Sequence, residues 1–192
     1  QAFNEAMTLY RGAIAVKAQV KKTMRLEVLN TDKVSEGNII FAQSRLRWEE
    51  TAPNNNLIIF DGKILWTVQF PPKEFGGPPQ VIKSENFQNN GRQLILPLLL
   101  DQKTFHKVFE VTQALTSGKT MKFALRSLDQ QIQVSDLSVV VDKKTKLIKQ
   151  VQYKDDVGNL TTLKLSNTQF DFPVKKTTFS FVPPSGAKVT EM

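Results

Sequence analysis

The feature that most constrains the fold is a sustained alternation of apolar and polar side chains across residues 14–28. Successive side chains of a β-strand point to opposite faces of a sheet, so this two-residue period predicts one long strand that is buried on one side. At about 3.3 Å per residue the strand would extend roughly 50 Å, and strands of that length bend. We therefore expect a curved sheet. The predicted buried face comprises Ile14, Val16, Ala18, Val20, Lys22, Met24, Leu26 and Val28.

The rest of the chain predicts many short strands and few helices. Apolar residues spaced at Phe3, Met7 and Tyr10 predict a helix over 1–11 that Gly12 ends, and residues 89–100 predict a second short helix with Pro97 in its first turn or breaking it. Further strands are predicted over 37–50, 57–60, 64–70, 81–82, 105–111, 121–128, 133–141, 147–153, 160–167 and 179–182.

About ten strands cannot form one flat sheet, and so few helices could not cover one. We therefore predict a mainly β fold with a few short helices. Its curved antiparallel sheet forms an incomplete barrel, and a helical lid lies over the concave side with an apolar cavity beneath it. At this length the chain is expected to form a single domain over residues 1–192.

No pattern in the chain supports catalysis. Cysteine is absent and the single histidine, His106, falls on a predicted strand, so thiol nucleophiles and His-rich metal sites are not expected. The acidic pairs at 49–50 and 155–156 are sequence neighbours, and neighbours on a strand diverge. The net charge of +8 is spread along the chain rather than gathered among aromatic residues, so no nucleic-acid groove is predicted. We expect a binding protein that is not an enzyme and needs no metal or other cofactor.

Three segments carry a resemblance to a known family. They are a strand end at Leu46-Arg47-Trp48, a hairpin at Phe60-Asp61-Gly62-Lys63-Ile64-Leu65-Trp66, and a C-terminal stretch, Phe179-Ser180-Phe181-Val182-Pro183-Pro184-Ser185-Gly186-Ala187-Lys188-Val189. In their order, these segments resemble the periplasmic outer-membrane lipoprotein carrier, the LolA family, over about residues 13–189. The resemblance implies a carrier that accepts acylated lipoproteins from an inner-membrane lipoprotein-releasing transporter and delivers them to an outer-membrane lipoprotein acceptor.

Apolar side chains on the concave face are the candidate cargo site. They could instead form an ordinary packed core, as most apolar strand faces do. Helices too short to fill the curl, together with the resemblance, favour a lipid-binding cavity. Leu46, Trp48, Trp66 and Val68 are predicted to share this face, because each pair is separated by two residues on its strand. The full candidate set is Met24, Leu26, Leu46, Trp48, Trp66, Val68, Phe70, Val139, Val151 and Leu163.

The aliphatic segment 94–100 is too apolar for a surface helix. It is either a buried helix or a lid that contacts lipid in the loaded state and the barrel wall in the empty state. The candidate lid residues are Leu94, Leu96, Leu98 and Leu99.

The resemblance also implies an arginine latch that holds the lid in the closed state. In the family this arginine stands in a Lys-Arg-Pro context, whereas here the proline is missing and the stretch is about one residue shorter. Arg45 is the nearest candidate and Arg47 the second. By alternation Arg45 falls on the face opposite Trp48, so it could reach a lid only from the sheet edge or through a bulge.

The resemblance implies a periplasmic location. The N-terminus shows no charged region followed by an apolar core, so any secretion signal is expected to have been removed or never to have existed. No run approaches 18 apolar residues, so no transmembrane helix is predicted and membrane contacts should be transient. Two alternatives stay open. One is an outer-membrane lipoprotein acceptor of related fold, normally anchored through an N-terminal cysteine. The other is an envelope regulatory module that senses lipids or lipoproteins.

Overall fold

The fold consists of β-strands with short helical segments between them. The computed structural model describes residues 2–42, 44–72, 74–85, 95–100 and 102–191. The helices are α1 (Ala2–Gly12), α2 (Ile95–Leu100) and α3 (Gln102–Val108), and a 3₁₀ helix spans Lys176–Phe179. The strands are β1 (Val16–Leu26), β2 (Thr31–Ala42), β3 (Arg45–Ala52), β4 (Asn56–Phe60), β5 (Leu65–Gln69), β6 (Gln80–Ser84), β7 (Phe109–Ser117), β8 (Thr120–Ser127), β9 (Ser135–Asp142), β10 (Ile148–Lys154), β11 (Leu160–Phe170) and β12 (Lys188–Glu191).

All of these strands belong to one sheet, in the order β12-β6-β5-β4-β3-β2-β1-β11-β10-β9-β8-β7. Each neighbouring pair is antiparallel except β12 and β6, which are parallel. The order begins at β12 and ends at β7, so the sheet is open at both of these strands. The predicted mainly β fold with an incompletely closed antiparallel sheet is confirmed.

Strand pairing and burial distinguish two faces of the sheet. Residues that lie opposite each other in an antiparallel pair point to the same side. Ala18 pairs with Ile39, and Ile39 pairs with Trp48, so all three share one side. These residues pack in the same apolar cluster as α1, α2 and α3. We call this helix-bearing side the inner face and the opposite side the outer face.

The inner face curls around the helices. One apolar cluster contains buried side chains from β1 to β5, from β7 to β11 and from all three helices. Strands so far apart in the sheet order can share a cluster only if the sheet bends towards the helices. The alternation predicted for β1 is present, since Val16, Ala18 and Val20 are buried and the residues between them are exposed.

The single strand predicted over 37–50 is wrong, because it is a hairpin. β2 ends at Ala42 and β3 begins at Arg45, with Ser44 in the left-handed region at φ 65°. The reversal changes which side chains point inwards. A single strand would place Ala42 on the face of Leu46, whereas in the hairpin Ala42 pairs with Arg45 and points outwards.

Two further strand predictions are wrong. Residues 105–108 lie in α3 rather than in a strand, which places His106 on the exposed side of a helix. Phe105 is buried whereas His106 and Lys107 are both exposed, which departs from the strict alternation of a strand. The stretch 179–182 is not a strand either, since Phe179 ends the 3₁₀ helix and the last strand is β12.

Candidate functional site: a helix-covered apolar face

Helix α1 contributes one apolar side to the inner face. Its buried residues are Phe3, Ala6, Met7 and Tyr10, which recur at helical spacing. The Phe3 ring lies 5.1 Å from the ring of Phe105 in α3 and 5.1 Å from the ring of Phe123 in β8, measured between centroids. These ring contacts bind α1 both to another helix and to the sheet. We call α1, α2 and α3 together the helical cover.

Helix α2 is buried in the same cluster. Ile95, Leu96 and Leu99 are at most 1% exposed and pack with the apolar side chains of the inner face. Two of the predicted lid residues, Leu96 and Leu99, are therefore part of the cover. Leu94 and the side chain of Leu98 lie outside what the structure describes.

The structure brings together part of the predicted cavity set. Five of these side chains are buried on the inner face within the helix-covered cluster: Leu46, Trp48, Val139, Val151 and Leu163. Met24 and Leu26 lie on the same face by their register with β2 and β11, and they are only half-buried. Since the described inner-face side chains beneath the cover pack against it, lipid could enter this region only if the helices moved.

Trp66 and Val68 do not share a face with Trp48, so that prediction is wrong. Trp48 pairs with Ile58, and Ile58 pairs with Thr67, which places Thr67 on the inner face. Its neighbours Trp66 and Val68 therefore point outwards.

Other contacts agree with this assignment. The Trp66 ring lies 5.4 Å from the ring of Phe181, in the segment that follows the 3₁₀ helix. Phe70, which follows the end of β5, is 39% exposed and is not in the helix-covered cluster.

Within the described part of the chain, the two candidate latch arginines contact the 3₁₀ helix of the C-terminal segment rather than the helical cover. The guanidinium of Arg45 lies 4.8 Å from the ring centroid of Phe179. Arg47 donates a 3.1 Å hydrogen bond from Nη1 to the carbonyl oxygen of Thr178. Both arginines are on the outer face by their register with β2. This position gives them a role in holding the segment around residues 172–181 against the sheet.

Tyr10 links α1 to the sheet through directional contacts. The hydroxyl oxygen of Tyr10 accepts a 2.7 Å hydrogen bond from the backbone N–H of Ile148 at the start of β10. Burial raises the pKa of Tyr10 to about 12, so the phenol is neutral under ordinary conditions. Its ring also contacts Phe170 at 5.2 Å between centroids. Sequence reasoning placed Tyr10 on a helix but did not identify this anchor, because the partner is a backbone group 138 residues away.

The side chains beneath the helical cover offer apolar surface. Across the described ranges, no set of three or more His, Cys, Asp or Glu side chains is placed to hold a metal ion. None of the helices in those ranges has the length and apolar character needed to cross a bilayer. What the arrangement can do chemically is exchange one set of apolar contacts for another.

Comparison with known proteins identifies related sequences. Residues 16–182 match the family model described as outer membrane lipoprotein carrier protein LolA. The outer-membrane lipoprotein carrier protein of Shewanella baltica strain OS155 is 28% identical to this chain over 183 residues, which covers 94% of this chain and 81% of that protein.

Two solved structures share the fold at low sequence identity. An uncharacterized conserved protein from Thermus thermophilus aligns with a TM-score of 0.58 and 13% identity over 100% of both chains. A LolA superfamily protein from Nitrosomonas europaea aligns with a TM-score of 0.52 and 10% identity, over 94% of this chain and 96% of that one.

Proposed function

The chain belongs to the LolA family of outer membrane lipoprotein carrier proteins, and from this premise we propose that it is a periplasmic lipoprotein carrier. It shields the acyl chains of a lipoprotein on its inner face. It receives that cargo from an inner-membrane lipoprotein-releasing transporter and delivers it to an outer-membrane lipoprotein acceptor. The whole chain acts as one carrier domain, without catalysis and without a cofactor.

The observation that carries this proposal is the apolar character of the contacts beneath the cover. Phe3, Met7 and Leu99 are at most 3% exposed and pack in the cluster that lines the inner face. Apolar contacts are non-directional, so an acyl chain that replaced these side chains would restore most of the lost burial. The inner face can therefore be covered either by the helices or by an acyl chain, with a comparable gain from apolar burial in the two cases.

The energetics favour such an exchange. Each methylene group that leaves water gains about 0.8 kcal/mol, so a long acyl chain has a strong drive to enter any apolar space. Moving the cover away exposes apolar helix side chains and costs free energy of the same kind. These two terms oppose each other, so their difference is smaller than the larger of them, and a carrier needs a small difference because it must also release its cargo.

The two tryptophans provide a direct test, because Trp48 is on the inner face and Trp66 on the outer face, and the chain has no other tryptophan. Bromine atoms quench indole fluorescence at short range. A peptide with brominated acyl chains is titrated into two single-tryptophan variants. Trp66→Phe, which retains Trp48, should lose most of its fluorescence at a stoichiometry near one. Trp48→Phe, which retains Trp66, should lose little.

Calorimetric titration with the same peptide lacking bromine establishes that both variants bind cargo. Strong quenching of Trp66 would place the acyl chains on the wrong face, and saturable binding to neither variant would remove the carrier function. Delivery is tested separately, by incubating the loaded protein with an outer-membrane acceptor and measuring the transferred peptide.

A further inference from the structure

The inner face changes character along strand β1. Val16, Ala18 and Val20 are buried in the helix-covered cluster. The next inner-face residues of the same strand are Lys22 and Met24, both only half-buried. The inner face therefore continues beyond the fully buried region, and a lysine lies where the burial falls.

A charged pair occupies this part of the inner face. Lys22 donates a 3.5 Å hydrogen bond from Nζ to Oε1 of Glu50, and the two side chains are 28% and 10% exposed. Ser35 donates to the same oxygen at 3.1 Å, and Asn56 donates to Oε2 at 2.9 Å. Strand pairing brings the group together, because Lys22 is opposite Ser35 and Glu50 is opposite Asn56.

The Glu50 carboxylate has more hydrogen-bond partners than the Lys22 ammonium group. The Glu50 carboxylate accepts hydrogen bonds from three side chains. An ammonium group has three N–H donors, and within the described residues Lys22 makes one long hydrogen bond, to Glu50. Its Nζ lies 5.7 Å from the ring centroid of Trp48, one of the buried inner-face side chains. Lys22 thus has donor capacity directly beside the apolar region.

Stability alone does not account for the pair. Replacing a buried ion pair with apolar side chains of similar size is often neutral or stabilising, because desolvation of the charges offsets their attraction. A charged pair beside the apolar region of the inner face therefore suggests a binding role. Glu50 positions the lysine, and the lysine presents hydrogen-bond donors to a ligand.

We propose that Lys22 binds the ester and amide carbonyl groups that join acyl chains to the N-terminus of a lipoprotein, while the chains themselves extend beneath the helical cover. This inference rests on the proposed carrier function and adds the position and polarity of the bound cargo. The acyl chains of such a ligand are apolar and its linkages are hydrogen-bond acceptors. The inner face has the matching order, with apolar side chains from Val16 to Val20 and a donor at Lys22.

The test compares two peptides that differ only in the carbonyl groups. One carries two ester-linked chains on its N-terminal cysteine, and the other carries ether-linked chains of equal length. The wild-type protein should bind the ester form on the order of tenfold more tightly, as expected for one charge-assisted hydrogen bond. Lys22→Met should remove this preference and leave affinity for the ether form unchanged.

Three variants control for structure. Lys21→Met, on the outer face of the same strand, should retain the tenfold preference. Lys22→Arg keeps the charge and should retain a preference. The double variant Lys22→Met with Glu50→Gln removes both charges at once, so it applies the same test if the single change leaves Glu50 uncompensated and the protein unfolds.

Each other outcome has a distinct meaning. A preference for the ester form that survives in Lys22→Met or in the folded double variant would overturn this inference and leave the carrier function intact. An equal loss of affinity for both peptides would also overturn it, because Lys22 would then be structural. Failure of the wild-type protein to bind either peptide would remove the carrier function itself. A salt-sensitive preference for phosphatidylglycerol vesicles over both peptides, lost in Lys22→Met, would overturn the carbonyl assignment in favour of a phosphate.

Discussion

Replacing Tyr10 with phenylalanine removes one oxygen atom from the helical cover and leaves its apolar contacts in place. The lost group accepts the 2.7 Å hydrogen bond from the N–H of Ile148, a buried interaction that links α1 to β10. The ring contact with Phe170 at 5.2 Å remains available to phenylalanine. The change therefore weakens the attachment of α1 without removing surface that could contact an acyl chain.

The expected size of the effect follows from the unpaired donor. A buried backbone N–H that loses its partner costs about 1–3 kcal/mol, so the free energy of unfolding should fall by about that amount. If α1 moves aside during loading, the same cost applies only to the closed state. Acyl-peptide affinity should then rise about tenfold for each 1.4 kcal/mol, until the open state predominates. Stability and affinity should change in opposite directions.

Urea denaturation measures the free energy of unfolding, and titration with the brominated acyl peptide measures the affinity for acyl chains. Tyr153→Phe is the matched control, since Tyr153 is 7% exposed and belongs to β10 rather than to the cover. It should lower stability and leave affinity unchanged. If Tyr10→Phe lowers stability while affinity stays the same or falls, then α1 does not move on loading and the cover argument is refuted.

Three further predictions concern other parts of the fold. Arg47→Met should increase protease cleavage of the C-terminal segment without changing acyl affinity, and a loss of affinity would restore a latch role. Gly37→Ala should cost on the order of 3 kcal/mol, since a Cβ would lie 2.0 Å from a backbone oxygen of β3, whereas Gly12→Ala meets nothing within 4 Å and should change little. Burial raises the pKa of Tyr10 and Tyr153 to about 12. The contribution of these neutral phenols to the stability of the folded protein is complete below pH 10 and should be lost as the pH rises through 12. Tyrosinate absorbance from these residues near pH 10 without unfolding would contradict this.

Sequence periodicity predicted well the elements that have one buried side and no close reversal. β1 and α1 were predicted from their two-residue and helical periods, and both are present. Their buried residues also match, with Val16, Ala18 and Val20 on one side of β1 and Phe3 and Tyr10 on one side of α1. In these elements each local side-chain pattern is long enough to determine both the structure and the buried face.

The relation between strands was harder to predict. Alternation determines which residues share a face within one strand, but the turn determines the register of the next strand. The Asp61–Ile64 loop pairs Phe60 with Leu65, which turns Trp66 outwards. A shift of one residue would have turned it inwards. The site predictions that failed, including Trp66 and Val68, all required a relation across a turn or across distant strands.

The C-terminal segment on the outer face and the helical cover on the inner face differ in how much they depend on directional hydrogen bonds. This difference indicates which of the two can move. On the outer face, Arg47 bonds a backbone carbonyl of the C-terminal segment, and beyond that segment β12 forms a strand ladder with β6. Displacing this segment would break directional hydrogen bonds that an acyl chain has no groups to replace. On the inner face, the hydrogen bond from Ile148 to Tyr10 accompanies contacts of Phe3 and Leu99 that hydrocarbon can replace. Reversible loading is therefore physically reasonable for the inner face alone, and the arginines expected to act as a latch serve the side that must stay closed.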